Sequence, residues 1–322
     1  HEGLDWYDRG KALFLQNDPK NGSSAAKLAL KKLKRVIDIN PNHAKSYVII
    51  ADLLSLLGSA SYSEIITIYN KAIDLGLKSS EVVAMTHFKI GMILFETKRF
   101  KDAIVRFNQA LDCNLPEEHK IIAYHTKGSC YFNLNDLKRS IKQYEKAIKT
   151  SSTGSGLYRN HPDLYKNIGH ALVQDKRHTV AITHYKKALE LEKNNISKAK
   201  IHFCLVMAYS FSGGHPEDVK NHFDFAMALN PQYADPYLWR AFSLQGAKHY
   251  SEALENYKKA IELQPRHRCS SKKRVEECIE LIKKQSNSEL TGKFAWFYAK
   301  PDSREKKGPL KQASQPMESF VK

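Results

Sequence analysis

The sequence predicts an all-α fold: a right-handed superhelical solenoid of antiparallel helix hairpins. Three observations predict it. Residues 234–265 hold two short amphipathic runs separated by Gly246–His249 and closed by Pro265. The pattern recurs upstream about every 34 to 40 residues. Each copy places small residues where two helices would cross, with aromatic residues opposite. One such hairpin is too small to bury its own apolar face, so stable copies must stack on each other.

The first copy spans Asp5–Pro41, with Trp6, Gly10 and Leu13, a polar turn at Asn17–Ser24, then Ala29, Leu33 and Val36. His43–Leu75 follows with Tyr47, Ala51, Leu54, Ile65, Tyr69 and Ala72. Ala84–Leu115 places His87, Gly91, Leu94, Ala103, Phe107 and Ala110. Ile121–Ser152 places Tyr124, Gly128, Tyr131, Ser140, Tyr144 and Ala147. Pro162–Lys193 places Tyr165, Gly169, Leu172, Ala181, Tyr185 and Ala188. Lys198–Pro231 diverges most: Phe203 and Ala208, an extra residue at Gly213-Gly214, then Val219, Phe223 and Ala226. The seventh places Tyr237, Ala241, Leu244, Ala253, Tyr257 and Ala260. Gly91, Gly128 and Gly169 each cost about 1 kcal/mol of helix propensity relative to Ala. Close packing that leaves no room for a side chain accounts for them.

This order of aromatic, Gly or Ala, Leu or Tyr, Ala, aromatic, Ala and Pro resembles the tetratricopeptide repeat, seven times over residues 4–265. The resemblance implies a solenoid over 1–265, with a Ser- and Gly-rich insertion at 150–161. A capping helix is expected over 266–286, with Val275, Cys278, Ile279 and Ile282 on its apolar face. The segment 287–322 reads as a basic, extended tail. Its aromatic cluster, Phe294, Trp296, Phe297 and Tyr298, is the candidate tail contact.

Composition bounds the function. Of 322 residues, 42% are hydrophobic and 26% charged, as in ordinary globular chains. No apolar run reaches the length of a membrane span. Five scattered cysteines without a CxxC pair fit reduced thiols, hence a cytoplasmic reducing compartment, with an organelle or a ciliary assembly also compatible. The net charge is +17, and Arg266–Lys322 carries 14 basic against 7 acidic residues. That balance suits an acidic partner surface or a nucleic acid. Phosphate-loop, dinucleotide, nucleophile-elbow and zinc-helix fingerprints are absent, so no cofactor, metal or catalysis is expected. His87, His125, His184 and His222 fall at hairpin positions and read as packing or solvated residues.

The resemblance implies that the first helix of each hairpin lines a concave groove. Positions one, two, five and eight or nine after the aromatic line that face, which gives Phe88, Lys89, Met92 and Phe95 in the third copy. The fourth gives His125, Thr126, Ser129 and Phe132; the fifth Lys166, Asn167, His170 and Val173; the seventh Leu238, Trp239, Phe242 and Gln245. Apolar anchors among polar and basic groups suit an extended or helical peptide of a protein partner. Members of the family that clamp the terminal carboxylate of chaperones use Lys, Asn and Arg at set positions. Here those positions hold Tyr7, Lys11, Val48, Asp52, Lys166, His170, Asp235 and Trp239, so that subtype is not expected. The expectation is a non-catalytic interaction scaffold. RNA binding by helical repeats, or a regulatory part of a larger enzyme or assembly, are the alternatives.

Overall fold

The computed structural model describes residues 19–153, 161–264 and 275–281. All regular structure among them is α-helical. The chain divides into two compact units, His1–Arg159 and Asn160–Lys322.

In the first unit the helices are α1 (Pro19–Ile39), α2 (Ala44–Leu57), α3 (Tyr62–Asp74), α4 (Ser80–Glu96), α5 (Phe100–Asp112), α6 (Glu117–Asn133) and α7 (Leu137–Thr153). Helices α2/α3, α4/α5 and α6/α7 form the second, third and fourth hairpins. In the second unit α8 (Pro162–Gln174) pairs with α9 (His178–Leu191), α10 (Asn195–Ser212) with α11 (Pro216–Leu229), and α12 (Ala234–Gly246) with α13 (Tyr250–Leu263).

Two boundaries move. The expected polar turn at Asn17–Ser24 is helical from Pro19 onward. Proline at a first helical position loses no hydrogen bond, and the Ser24 hydroxyl donates back to the Lys20 carbonyl. The expected insertion at 150–161 starts later, because α7 continues to Thr153. Thr150, Ser151 and Ser152 each donate to a carbonyl three or four residues upstream, which makes them compatible with a helix end.

The small residues do what their spacing implied. A Cβ built on Gly91 would lie 2.8 Å from Phe107, on Gly128 2.7 Å from Tyr144, and on Gly169 2.5 Å from Tyr185. All three rings are buried. Each ring fills the space left by a missing side chain, and stacked hairpins then cover the pair.

Each hairpin turns on one residue with left-handed backbone: Gly58, Lys98, Asn135, Lys176, Gly213 and Lys248, with φ between 58° and 70°. The next N–H bonds the carbonyl five residues back, as Arg99 does to Leu94 at 2.8 Å and His249 to Leu244 at 2.9 Å. This is a Schellman closure. In the seventh hairpin Gly246 stays in the helix and Lys248 takes the left-handed position. A lysine there costs about 1–2 kcal/mol that glycine escapes, while glycine adds about 0.5–1 kcal/mol of chain entropy. Lys98→Gly and Lys176→Gly are therefore each expected to raise stability by roughly 0.5–1 kcal/mol. A urea midpoint that falls in both variants would show the turn to be set by something else.

The turn residue also corrects the sixth copy. It lies eleven residues after the aromatic position at Tyr47, His87, Tyr124, Tyr165 and Tyr237. Counting back from Gly213 gives His202, not the expected Phe203. Ring contacts agree: His202 meets His222 as Tyr165 meets His184 in the fifth copy. Phe203 packs edge-on against Tyr233 as Phe88 packs against His119. The extra residue follows the turn, ahead of Pro216.

Residues 275–281 are helical, and Cys278 is fully buried with Leu238, Ala241, Tyr257 and Ala260. Val275 packs on the same cluster. Ile279 is 37% exposed, so it does not share the apolar face expected of it. Ile282 lies outside the described residues, as do Trp6, Gly10, Leu13 and the tail residues Phe294, Trp296, Phe297 and Tyr298. Among the described residues no helix is long and apolar enough to cross a membrane.

Candidate partner-binding groove

Within the units, three pairs join the fifth position after the aromatic on one first helix to the second position on the next first helix. Lys89 Nζ lies 2.6 and 2.7 Å from the two Asp52 oxygens. Thr126 donates to the Met92 sulfur at 3.9 Å. His170 Nε2 lies 3.3 Å from Cys204 Sγ. Pre-formed pairs thus join successive first helices twice in the first unit and once in the second.

In the first unit this row borders a pocket of about 420 Å³ between α2 and α4. Leu56, Tyr62 and Met92 supply apolar surface, and Asp52, Lys89 and Glu96 supply charge. Asp52 is held from two sides, by Lys89 and by the Tyr69 hydroxyl at 2.5 Å. Glu96 lies against the Tyr62 hydroxyl and raises its pKa. Leu56 and Tyr62 are 42% and 48% exposed. Sequence reasoning passed over Leu56, Tyr62 and Glu96. Leu56 and Glu96 stand nine positions after Tyr47 and His87, and Tyr62 reaches the pocket from a second helix.

The expected groove residues divide into three groups. Phe88 and Trp239 are 7% and 8% exposed, which corrects their assignment as open contacts. Phe88 lies edge-on to Phe107 at 6.0 Å and to His119 at 5.1 Å, so it fills the space between adjacent hairpins. Lys89, His125, Ser129, Lys166 and His170 are half-buried and engaged locally. Lys166 pairs with Asp163. Ser129 donates to the His125 carbonyl at 3.2 Å and lies 3.0 Å from the Tyr144 hydroxyl. The His125 ring tilts against Tyr144 at 5.6 Å. Met92, Phe95, Asn167, Phe132 and Phe242 are also half-buried. Phe95 rests against Phe100 and Phe242 against Tyr257, each leaving part of its ring to solvent.

Two ionisable groups here, His170 and Cys204, are held uncharged by burial. Burial lowers the His170 pKa to about 4 and raises the Cys204 thiol to about 12. Burial likewise raises Cys130 to about 12. Thiols so shifted are poor nucleophiles.

One tetratricopeptide-repeat model matches residues 121–153 and 162–195, and a second such model matches 234–267. These are the fourth, fifth and seventh hairpins, and the second, third and sixth are paired helices of the same kind. The chain is a tetratricopeptide-repeat protein. It is similar to Hsp70-Hsp90 organizing protein 3 of Arabidopsis thaliana, 23% identical over 242 residues, which is 73% of this chain and 39% of that one. Serine/threonine-protein phosphatase T of Trypanosoma brucei brucei is 27% identical over 122 residues, covering 38% of this chain and 25% of the phosphatase. The tetratricopeptide-repeat chain spans well under half the length of the curated relatives it matches. Among solved structures, the C-terminal part of a TPR repeat-containing protein from Cytophaga hutchinsonii superposes with TM-score 0.59 at 17% identity. It covers 80% of this chain and 95% of its own. YrrB, described as a TPR protein with an unusual peptide-binding site, gives TM-score 0.51 at 18% identity, covering 62% and 92%. Both likenesses concern the fold.

Proposed function

We propose that this tetratricopeptide-repeat protein is a non-catalytic scaffold that holds a segment of a protein partner along its first helices. The observation that carries the reading is the pocket between α2 and α4. Exposed Leu56 and Tyr62 and half-buried Met92 stand beside an ion pair that is already formed. Apolar anchors supply affinity, and fixed charges set the register of the bound segment. Phe95, Phe132, Asn167 and Phe242 are the further contacts along the same helix faces. The basic stretch from Arg266 onward, with its aromatic residues 294–298, is the second contact. The silenced histidines and thiols support a binding role over chemistry.

Leu56→Glu combined with Met92→Glu places two carboxylates in that pocket while changing no fully buried side chain. Partners recovered with the unaltered chain by affinity purification and mass spectrometry are expected to bind this variant at least tenfold more weakly. Equal recovery by the two proteins would remove the groove from the function.

A further inference from the structure

A second pocket, of about 360 Å³, opens between α3 and α5, the second helices of two successive hairpins. It is separate from the groove between α2 and α4. Ile66 and Asn70 line it from α3, Ile90 and Leu94 form its floor, and Val105 and Arg106 line it from α5. Val105 is 53% exposed at the rim.

Arg106 is the unusual member. It is half-buried, and its hydrogen-bond partners are the Asn70 amide oxygen at 2.8 Å and the His87 Nδ1 at 3.3 Å. Neither partner carries negative charge. Burial, and Arg106 itself, hold His87 neutral by lowering its pKa. Arg99 at the pocket edge is already neutralised by Asp102 at 2.7 Å. Asp74 and Asp102 act on Arg106 only through space, and burial still lowers its pKa. A guanidinium has five N–H donors, so Arg106, hydrogen-bonded to Asn70 and His87 and without an ion pair among the described residues, keeps donors beside open space. Planar paired donors beside an apolar rim match a carboxylate flanked by apolar side chains.

We propose that this outer pocket takes an acidic side chain from a peptide segment of a protein partner. Its carboxylate would sit on Arg106 and its apolar neighbours on Ile66 and Val105. The site is independent of the groove, and the net charge of +17 favours approach of an acidic segment.

The test titrates isotope-labelled full chain with the tripeptide amide acetyl-Leu-Glu-Leu, and in parallel with acetyl-Leu-Gln-Leu, followed by NMR. The expected result is perturbation of the Asn70, Val105, Arg106 and Gln109 amides by the Glu peptide, with the Gln peptide at least tenfold weaker. Arg106→Met is expected to lose that preference. Val105→Glu, at an exposed position, is expected to block binding by supplying an internal carboxylate, and it keeps the test decisive if Arg106→Met folds poorly. The proposal is overturned by equal affinity for the two peptides, by perturbations confined to other residues, by undiminished binding to Val105→Glu, or by no binding at millimolar peptide.

Discussion

Tyr185→Ala is expected to lower the stability of this tetratricopeptide-repeat protein by about 3–5 kcal/mol, the usual cost of emptying a buried aromatic site. Tyr185 is 1% exposed and its ring lies where a side chain on residue 169 would be. The converse change tests the same contact from the other side. Gly169→Ala puts a carbon 2.5 Å from a ring carbon that packing holds in place. Relief of that overlap requires the two helices to separate, at about 1–3 kcal/mol. The double variant removes both the ring and the overlap, so its cost is expected to fall short of the sum by at least about 1 kcal/mol. Urea unfolding of the four proteins measures this. Strict additivity would mean that the glycine does not serve close approach, and the account of Gly91 and Gly128 would fall with it.

Acidification is expected to produce the second large effect. Burial first, then the nearby His222 and Lys198 charges, hold the His202 imidazole at a pKa of about 4. Burial and Lys166 hold His170 at about 4, with Asp163 opposing. His202 also faces Phe225, and its Nδ1 lies 3.0 Å from His222 Nδ1. His222 in turn faces Tyr209, Lys186 and Asp218. An unfolded histidine takes its proton near pH 6.5, so between pH 6.5 and 4 the unfolded chain binds more protons than the folded one. Stability is therefore fully present above pH 6.5, falls through that window and levels off near pH 4. Each group contributes up to roughly 3 kcal/mol, less where water reaches the ring. His202→Phe removes one titration, and its urea midpoint is expected to fall less between pH 7.5 and 4.5 than that of the unaltered chain. A midpoint independent of pH over this range in the unaltered chain would refute the assignment.

Much of the fold was legible because repetition averages over local ambiguity. Any one pairing of Gly91 with Phe107 is a weak signal, whereas its return as Gly128 with Tyr144 and Gly169 with Tyr185 fixes which residues face each other. The sixth hairpin shows where this fails. Two adjacent aromatic-ring residues, His202 and Phe203, both suit the position, and only the left-handed turn at Gly213 selects His202. Helix ends were equally ambiguous. Ser23, Ser24 and Ser151 read as turn residues, yet each lies inside a helix, because Ser24 and Ser151 bond back to the helix backbone.

The candidate site was less legible for a related reason. Helical spacing places Phe88, Lys89 and Met92 toward one face, but spacing does not report how far the neighbouring hairpin covers that face. Phe88 is buried by His119 of the following hairpin, and Lys89 is neutralised by Asp52 of the preceding one. Arg106 has no sequence signature, since its neutral hydrogen-bond partners lie 19 and 36 residues away.

The sequence by itself determined the hairpin unit, its all-α character and its close-packed Gly–aromatic crossings, because these depend on residues a fixed short distance apart. Only the tertiary structure decided which groove residues remain open, where the turns close and which charged side chains lack an ion-pair partner in contact. Those properties depend on side chains from different hairpins, and a pattern within one hairpin does not report how its neighbours cover it.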